Sequence, residues 1–534
     1  MKLSLESLKD NTSWEKAGFE LPQYNIEKMK LNTKENPTWI HFGAGNIFRA
    51  LMANAQQNIL NKGKSDKGIV VVGGESIKTI YQAHDNLTVL VTLKVDGSIE
   101  KTVIGSIAES IVLDVENDTS WSRLKEIFIN PSLQMVSFTI TEKGYNLIDV
   151  NGEYLSAVAK DFENGPSYPA SYMGQIAALL YERYLQGRNP IALVSMDNIS
   201  HNGTKLYESI STFANKWAEK GLVDEGFKAY VSNPKLVSFP WSMIDKITPR
   251  PDPSVRKMLK DVGFEDVDDI ITSRGSYVSP FVNAEETEYL IIEDVFPNGR
   301  PNLEEGGIIF TDRETVDKVE KMKVCTCLNP LHTALAIYGC LLGYDLISKE
   351  MQDPELKTLV EKIGYVEGFP VVVNPGIIDP KKFIDEVLQV RFPNPFMPDT
   401  PQRIATDTSQ KLGIRFGETI KAYMQREDLE VSELKYIPLV LAGWCRYLMG
   451  IDDNGDKMEL SPDPLLEELV SHVSNIALGD KGPFNHQLSP ILSNEAIFGV
   501  NLYEVGLGEK IEGYFAELVS GKGAVRATLK KHTK

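Results

Sequence analysis

The feature that most constrains the fold of this chain is a strand, a glycine turn, a helix and a second strand near its start. The apolar run TWIHF (38–42) is followed by GAGNIFR (43–49), by the helix-like stretch ALMANAQQNIL (50–60) and by the apolar run IVVVGG (69–74). A strand that turns through glycine into a helix is typical of a βαβ unit, whose two strands lie parallel in one sheet. This stretch therefore predicts a parallel sheet covered by helices.

Short apolar runs alternate with amphipathic helical stretches from residue 36 to about residue 295. This alternation predicts an α/β N-terminal domain with a Rossmann-like, doubly wound sheet. The predicted strands are TWIHF (38–42), GIVVVGG (68–74), TVLVTLKV (88–95), MVSFTIT (135–141), IALVSMD (191–197) and EYLIIEDV (288–295).

The pattern becomes helical after the loop-rich stretch VFPNGRPNLEEGG (295–307). The predicted helical stretches are TALAIYGCLLGYDLI (333–347), DPELKTLVEKIGYV (353–366), ETIKAYMQRE (418–427), YIPLVLAGWCRYLMG (436–450) and PDPLLEELVSHVSNIAL (462–478). A chain of 534 residues exceeds one hydrophobic core. We therefore predict a Rossmann-like domain with an N-terminal extension over residues 1–300 and a mostly α-helical C-terminal domain over residues 301–534.

The glycine turn suggests a dinucleotide site. Gly43 and Gly45 allow the backbone to come close to a pyrophosphate at the start of the following helix. The third glycine of the usual G-x-G-x-x-G pattern is absent, because Phe48 occupies its position. Arg49 is placed either to meet phosphate oxygens or to lie solvated on the surface. A tight βα turn without a ligand is the alternative for the glycines.

The segment EKMKVCTCLNPLH (320–332) gathers groups that move protons. A lysine desolvated by apolar neighbours has a lowered pKa, which makes Lys323 a candidate acid/base. Asn329 and His332 are suited to polarising a substrate oxygen. The plainer interpretation is a helix start, with Asn329 as N-cap, Pro330 in the first turn and a helix over 331–344.

A metal site is the other common way to stabilise a developing alkoxide. Cys325, Cys327 and His332 offer three ligand types, but the second ligand pair typical of zinc sites is missing. Cys340 and Cys445 are isolated in apolar stretches. We predict buried, reduced thiols and no metal.

Six landmarks, taken in order, resemble the polyol-specific long-chain dehydrogenases, a family that includes mannitol 2-dehydrogenase, fructuronate reductase and tagaturonate reductase. The resemblance covers most of the chain. The landmarks are FGAGNIFR (42–49), TITEKGY (139–145), SMDNISHNG (195–203), FPWSMIDKITP (239–249), residues 323–332, and RFPNP with RIATDTSQK (391–411).

The resemblance implies roles for individual residues. Lys323 matches the catalytic lysine and Glu320 a carboxylate that relays protons to solvent. Asn198 and Asn329 match two asparagines that hold the substrate oxygen, and His332 matches a partner of a neighbouring hydroxyl. Lys323 and Asn329 are six residues apart, one more than the family pattern has, which leaves Lys321 as a rival base.

The same resemblance implies substrate and cofactor contacts. Arg403, Lys411 and Asp245 match substrate-site residues, with Asp245 near the nicotinamide. Thr141, Glu142 and Lys143 follow an apolar strand, and carboxyl ends of parallel strands bind ligands, although a polar turn is the alternative. The implied cofactor contacts are Gly43, Gly45, Asn46, Phe48, Arg49, Glu75, Thr141, Glu142 and Lys143.

The residue after the second strand bears on the choice of cofactor. An acidic residue there binds the adenosine ribose and repels a 2′-phosphate, and Glu75 is the candidate. Ser76 and Lys78 nearby are suited to accepting a phosphate instead. We therefore favour NAD, with NADP as the alternative.

The resemblance implies a metal-independent, NAD-dependent dehydrogenase of secondary alcohols that interconverts a keto-uronate and an aldonate, with fructuronate and mannonate as the first expectation. Oxidation of mannitol and reduction of tagaturonate are the alternatives within the family. From another class, the alternative is a catalytically inactive NAD(H)-binding sensor.

Composition restricts the partners. The net charge of −18 argues against a nucleic-acid or anionic-membrane binder, because phosphate binding needs a basic surface. No apolar run approaches 18 residues and the first residues lack a secretory apolar segment, so we expect no membrane span and a cytoplasmic protein. The sequence leaves the oligomeric state open.

Overall fold

The structure is a computed structural model, and it describes residues 1–271 and 277–534. The chain forms two compact units. The first consists of Met1–Lys94 with Ser98–Asp317, and the second of Val95–Gly97 with Lys318–Lys534. The domain limit near residue 300 stays a prediction.

The first unit contains all the strands that the structure describes. They are β1 (Phe19–Glu20), β2 (Trp39–Phe42), β3 (Ile69–Gly73), β4 (Thr88–Leu93), β5 (Ile99–Ile104), β6 (Ile107–Val112), β7 (Met135–Phe138), β8 (Ile191–Ser195), β9 (Val237–Ser238), β10 (Ser242–Asp245), β11 (Ile270–Ile271), β12 (Tyr277–Val278), β13 (Phe281–Glu285), β14 (Tyr289–Glu293) and β15 (Ile309–Thr311).

The described residues of the first unit also form ten α-helices up to Asp261. They are α1 (Asn11–Lys16), α2 (Ile26–Glu35), α3 (Ala53–Asn61), α4 (Asp118–Ile129), α5 (Thr141–Tyr145), α6 (Ser156–Asn164), α7 (Tyr172–Leu185), α8 (Asn202–Glu219), α9 (Glu225–Ser232) and α10 (Pro253–Asp261).

The main sheet has six parallel strands in the order β6-β3-β2-β7-β8-β9. Successive strands are added toward one edge of the sheet up to β6 and toward the other edge from β7 onward, so the strand order reverses between β2 and β7, as in a Rossmann fold. Ile40 of β2 pairs with Val70 on one side and Val136 on the other. The predicted Rossmann-like, doubly wound sheet is confirmed.

Alternate residues of each strand point to opposite faces of this sheet, and both sets of residues are buried. Ile40 and Phe42 of β2 pack in one apolar cluster with α4, α7 and α8. Trp39, on the same strand, packs in a second cluster with α3. The continuous apolar runs of the sequence follow from burial on both sides.

Two predicted strands lie outside the parallel sheet. The run TVLVTLKV forms β4, which pairs antiparallel with β5 and parallel with β13 in a mixed sheet ordered β1-β5-β4-β13. The run EYLIIEDV forms β14, in a three-stranded sheet ordered β10-β14-β15. A buried apolar run has the same composition in a parallel and a mixed sheet, so sequence pattern did not separate them.

The second unit is helical. One helix, α11 (Arg313–Lys321), spans the limit of the two units. The others are α12 (Asn329–Leu342), α13 (Ile347–Glu350), α14 (Pro354–Lys362), α15 (Pro380–Glu386), α16 (Pro401–Ile404), α17 (Glu418–Met424), α18 (Tyr436–Tyr447), α19 (Leu466–Val473), α20 (Ser489–Leu492), α21 (Glu495–Phe498), α22 (Gly508–Val519) and α23 (Ala524–His532). The predicted mostly α-helical C-terminal half is confirmed.

Shorter helical segments complete the secondary structure. The π-helical segments are Phe48–Met52, Ile77–Tyr81, Met322–Cys327, Ile363–Gly368, Val387–Arg391 and Gly413–Gly417. The 3-10 segments are Ser7–Lys9, Gln82–His84, Gly165–Ser167, Leu303–Gly306, Phe369–Val371, Thr408–Gln410 and Val431–Glu433.

One helical stretch, Arg313–Leu342, is long and apolar enough to cross a membrane by length and composition. Most of its apolar window is buried inside the protein, and α12 is buried on nearly every side. Burial of this kind is typical of a core helix.

A buried carboxyl group lies against α12. Glu350 is 0% exposed, and neither of its carboxylate oxygens has a hydrogen-bond partner in the part of the chain that the structure describes. A Cβ atom at Gly339 would lie 2.2 Å from Glu350 Oε1, so the carboxyl group packs directly on the backbone of α12. Burial, followed by the charge of Asp353, raises the pKa of Glu350 to about 9.

This raised pKa predicts a pH-dependent stability. Between the usual pKa of 4.5 and about 9, the carboxyl group ionises in the unfolded chain but stays protonated in the folded one. The Glu350→Gln variant should therefore gain free energy of unfolding relative to the wild type as the pH rises through this range, by up to about 1.4 kcal/mol per pH unit. Denaturant unfolding at pH 5, 7 and 8.5 measures the difference.

The exposed Glu427 provides the matched control. The Glu427→Gln variant should track the wild type at all three pH values. A Glu350→Gln curve parallel to the wild type would contradict a buried neutral carboxyl group.

Candidate functional site

The first unit places its polar loops at the carboxyl ends of β2 and β7. Gly43 follows β2 with a φ of +120°, and a Cβ atom there would lie 2.1 Å from the carbonyl oxygen of Thr139. The Gly43 amide donates to the carbonyl of Val72, and the Thr139 amide to the carbonyl of Phe42, each at 2.9 Å. Only glycine permits this approach of two strand ends.

The space beside Gly45 is open, because a Cβ atom there would meet nothing within 4 Å. The helix begins at the next residue, Asn46, so its first amides lie at the switch point of the sheet. An open backbone at a helix start fits a pyrophosphate group. The residues present therefore fit a dinucleotide.

His41 links the two central strands from within the core. Its Nδ1 and Nε2 atoms lie 2.7 Å from Ser137 Oγ and 2.8 Å from Thr139 Oγ1. Burial lowers the pKa of His41 to about 3, so the imidazole is neutral. Its ring stacks on Phe48 at 4.5 Å, which explains the buried aromatic residue at the third glycine position.

Arg49 is 1% exposed, which excludes a solvated surface residue. Its guanidinium donates to the Ser279 carbonyl at 2.6 Å, to Thr88 Oγ1 at 3.2 Å and to Asn46 Oδ1 at 2.7 Å. The expected phosphate contact is therefore corrected: the guanidinium is directed into the protein, and it orients the Asn46 carboxamide.

The segment after β7 is held by a residue that sequence analysis missed. Asp197 accepts hydrogen bonds from the Ile140 and Thr141 amides, at 2.9 and 3.0 Å, and from the Tyr145 hydroxyl at 2.7 Å. Burial raises the pKa of Asp197. The sequence could have indicated Asp197, because it ends the predicted strand over 191–197 and directly precedes the candidate Asn198.

Three of the remaining first-unit candidates lie at the start of α5, and two lie in loops. Thr141 has a φ of +63°, and it is exposed together with Glu142 and Lys143. Asn198 is exposed three residues after β8, and Glu75 is exposed two residues after β3.

Of the polar candidates of the first unit, Glu142 has an ion-pair partner and Asp245 lies in a different sheet. Glu142 Oε1 is 2.9 Å from Lys205 Nζ. Asp245 is buried at the end of β10, in the three-stranded sheet rather than the parallel one.

In the second unit, Lys323 lies within the π-helical segment Met322–Cys327 and is 6% exposed. The Leu328 amide donates to the Lys323 carbonyl, five residues back, at 3.1 Å. A π turn contains one residue more than an α turn, so it accommodates the extra residue between Lys323 and Asn329. The rival base, Lys321, is exposed, and Glu320 is half-buried at the end of α11.

The helix α12 begins at Asn329, the residue that was predicted to cap it. Leu328 is the N-cap residue, and it makes no side-chain capping hydrogen bond. The prediction of Asn329 as N-cap is therefore wrong, because the preceding π turn continues to Cys327 and leaves no extended residue for a cap. His332 lies in the first turn of α12, as expected.

His332 is nearly buried and neutral. Its Nε2 atom has no hydrogen-bond partner within the described ranges and lies 3.6 Å from Asp399 Oδ2. Its ring is 5.0 Å from that of Phe392. Burial, with added repulsion from three arginines, lowers the pKa of His332 to about 4 although Asp399 opposes this. The three are Arg415, Arg403 and Arg391.

Arg403 and Lys411, the two cations predicted to contact the substrate, have partners within the protein. Arg403 pairs with the buried Asp399 four residues earlier, and Lys411 Nζ donates to the carbonyl of Thr406. Burial, together with the positive charge of Arg415, lowers the pKa of Lys411. Asp399 and Arg415 were missed, although their spacings of four from Arg403 and Lys411 were readable in the sequence.

All four cysteines are free thiols: Cys325 is half-buried, and Cys327, Cys340 and Cys445 are buried. Burial raises the pKa of each of the three buried thiols to about 12. In the described part of the chain, no group of three His, Cys, Asp or Glu side chains is placed to hold a metal ion.

Comparison with known families establishes which family this chain belongs to. The family model described as Mannitol dehydrogenase Rossmann domain matches residues 37–305, and that described as Mannitol dehydrogenase C-terminal domain matches residues 315–512. The chain belongs to the mannitol dehydrogenase family. The resemblance that the six landmarks indicated is confirmed.

Individual members of the mannitol dehydrogenase family match over nearly the whole length. The D-mannonate oxidoreductase of Thermotoga maritima is 54% identical over 536 residues, which are 99% of this chain and 99% of that protein. The solved structure of Pseudomonas fluorescens mannitol 2-dehydrogenase, a ternary complex with NAD and D-mannitol, is 27% identical with a TM-score of 0.68 and covers 99% of both chains.

A substrate-free D-sorbitol dehydrogenase shares the fold, with a TM-score of 0.78 at 23% identity over 96% of this chain and 98% of that one.

The glycine turn yields a matched pair of variants. The Gly43→Ala variant should lose about 2 kcal/mol or more of unfolding free energy, because the methyl group would meet the Thr139 carbonyl at a positive φ. The Gly45→Ala variant should lose less than about 1 kcal/mol, since its methyl group meets nothing. Equal losses in denaturant unfolding would contradict this geometry.

Proposed function

We propose that this chain is an NAD-dependent oxidoreductase that interconverts fructuronate and mannonate through a lysine acid/base. The observation that carries the proposal is the 54% identity to a D-mannonate oxidoreductase over 99% of both chains. The buried polar groups around the start of α12 support the same chemistry.

Lys323 takes the proton of the substrate hydroxyl during oxidation and returns it during reduction. Its burial in the π-helical segment favours it over the exposed Lys321. The half-buried Glu320 passes the proton to solvent. A nicotinamide cofactor, when bound, would supply the hydride chemistry.

The other polar side chains stabilise charge on the substrate oxygen. The carboxamides of Asn198 and Asn329 donate to that oxygen as it becomes an alkoxide. The neutral imidazole of His332 bonds a neighbouring hydroxyl, since its Nε2 atom has no partner among the described residues. Arg403 and Lys411 bind the substrate, and Asp245 is assigned to the substrate site with them.

The dinucleotide would be held by the turn after β2, by the loop after β3 and by the start of α5 after β7. Gly43, Gly45 and Asn46 would hold the pyrophosphate, and Phe48 and Arg49 support the turn from the core. Thr141, Glu142 and Lys143 border the cofactor on the β7 side. Glu75 binds the adenosine ribose, which favours NAD over NADP.

The reaction proceeds without a metal in this proposal, because the lysine ammonium and two carboxamides stabilise the alkoxide. The protein acts in the cytoplasm on a small sugar acid and binds neither nucleic acid nor membrane.

Turnover of NADH separates the candidate functions. Purified enzyme is mixed with NADH and with fructuronate, tagaturonate or fructose, and loss of NADH is followed. Selective turnover of fructuronate is the expected result. Turnover of tagaturonate or of fructose alone would reassign the enzyme within the family, and NADH binding without turnover on any substrate would favour an inactive sensor.

The role of Lys323 is tested by truncation. The Lys323→Ala variant should lose a factor of about 10² or more in kcat while its NADH affinity is unchanged, because general-base catalysis contributes this much. Steady-state kinetics and NADH fluorescence titration measure the two quantities. The Lys321→Ala variant is the control, and a larger loss there would move the base to Lys321.

The cofactor preference is tested at Glu75. The wild type should have a higher kcat/KM with NADH than with NADPH. The Glu75→Gln variant should reduce that preference about tenfold, because one repulsive charge beside the 2′-phosphate is removed. An unchanged ratio would exclude Glu75 as the determinant.

A further inference from the structure

Three cations of the second unit lie on either side of the 3-10 segment Thr408–Gln410: Arg403, Lys411 and Arg415. Two of them already have partners in the protein. Arg403 pairs with the Asp399 carboxylate, and Lys411 donates to a backbone carbonyl. Arg415 donates to a neutral hydroxyl instead, and within the described residues neither it nor Lys411 has a carboxylate at ion-pair distance.

The contact of Arg415 leads to the helix that carries the polar candidates. Its Nη1 atom donates to Thr333 Oγ1 at 2.5 Å, and that hydroxyl donates to the carbonyl of Asn329 at 2.9 Å. Thr333 follows His332 directly. The guanidinium is therefore fixed to the first turn of α12, beside Asn329 and His332.

The positive charge of Arg415 also acts on His332 and Lys411. It is one of the arginines that lower the pKa of His332, and it contributes to the lowered pKa of Lys411. Burial alone lowers the pKa of Arg415 itself to about 10, so the group stays charged at neutral pH. Asp407 and Asp463 partly offset this repulsion at Lys411, whereas no carboxylate of the described residues pairs with Arg415.

A partly buried guanidinium with no anionic partner is costly, because its desolvation is not offset. An incoming carboxylate would offset that cost with two parallel hydrogen bonds, which a guanidinium forms better than an ammonium. The π-helical segment Gly413–Gly417 holds Arg415 in this position. Such segments often mark functional sites.

We infer that Arg415 binds the terminal carboxylate of the sugar-acid substrate and so distinguishes a keto-uronate from an uncharged ketose. The inference rests on the proposed function. In fructuronate, the carboxylate and the reacting ketone lie toward opposite ends of a six-carbon chain, and fructose carries a hydroxymethyl group in place of the carboxylate. Arg415 is therefore a specificity-determining residue rather than part of the proton transfer.

The test compares two substrates in two variants. The Arg415→Gln variant should raise the KM for fructuronate and lower kcat/KM by about 10²-fold, as for loss of one partner of a buried charge pair. The kinetic constant for fructose, as kcat/KM or as an inhibition constant against fructuronate, should change less than about threefold. The Arg415→Lys variant keeps the charge but not the paired donors, so its kcat/KM for fructuronate should be intermediate.

Arg426 is the matched control, since it is exposed and pairs with Asp428. The Arg426→Gln variant should match the wild type with both substrates. NADH titration and thermal unfolding check that the Arg415 variants are folded. If the Arg415→Gln variant does not fold, the Arg415→Lys variant provides the test.

The outcomes separate the inference from the proposed function. If the wild type does not reduce fructuronate, the proposed function fails and the inference fails with it. If the wild type reduces fructuronate and the Arg415→Gln variant does so equally well, only the inference fails. Equal losses on fructuronate and fructose would also overturn it, since Arg415 would then act only by positioning α12. A wild type that prefers fructose 6-phosphate would assign the cation to a phosphate instead.

Discussion

The approach of Gly43 to the Thr139 carbonyl is the contact on which the first unit depends. It joins the ends of the two central strands where the order of the parallel sheet reverses. A neutral His41, bonded to Ser137 and Thr139, fixes the same two strands from the core, and Phe48 stacks on its ring. The turn is therefore rigid before any ligand is bound, which lowers the entropy cost of binding a dinucleotide.

Desolvation of polar groups is the corresponding constraint in the second unit. His332 is kept neutral by burial and by nearby arginines, and its Nε2 atom finds no hydrogen-bond partner among the described residues. Arg415 is held charged against Thr333 without a carboxylate in the same part of the chain. Natural proteins tolerate such uncompensated groups chiefly at functional sites, where a ligand completes the set.

Much of this arrangement was predictable from the sequence. The alternation of apolar runs predicted the doubly wound sheet and the helical second half, because burial on both faces demands such runs. The landmark motifs identified the family, and burial of Lys323 agrees with the preference for it over Lys321. Predictions were wrong where the partner lay far away in sequence: β4 and β14 pair outside the parallel sheet, and Arg49 is directed to Ser279, 230 residues distant.

The sequence by itself determined which segments are buried and which chemical groups stand at strand ends and helix starts, because these follow from local periodicity and from glycine placement. Only the tertiary structure decided what each polar group contacts. The π turn at Lys323, the bonds of Asp197 to the loop after β7 and the unbalanced charge of Arg415 depend on residues brought together by packing. Desolvation and pairing are properties of that packing, so a charged residue in the sequence does not reveal whether its charge is satisfied.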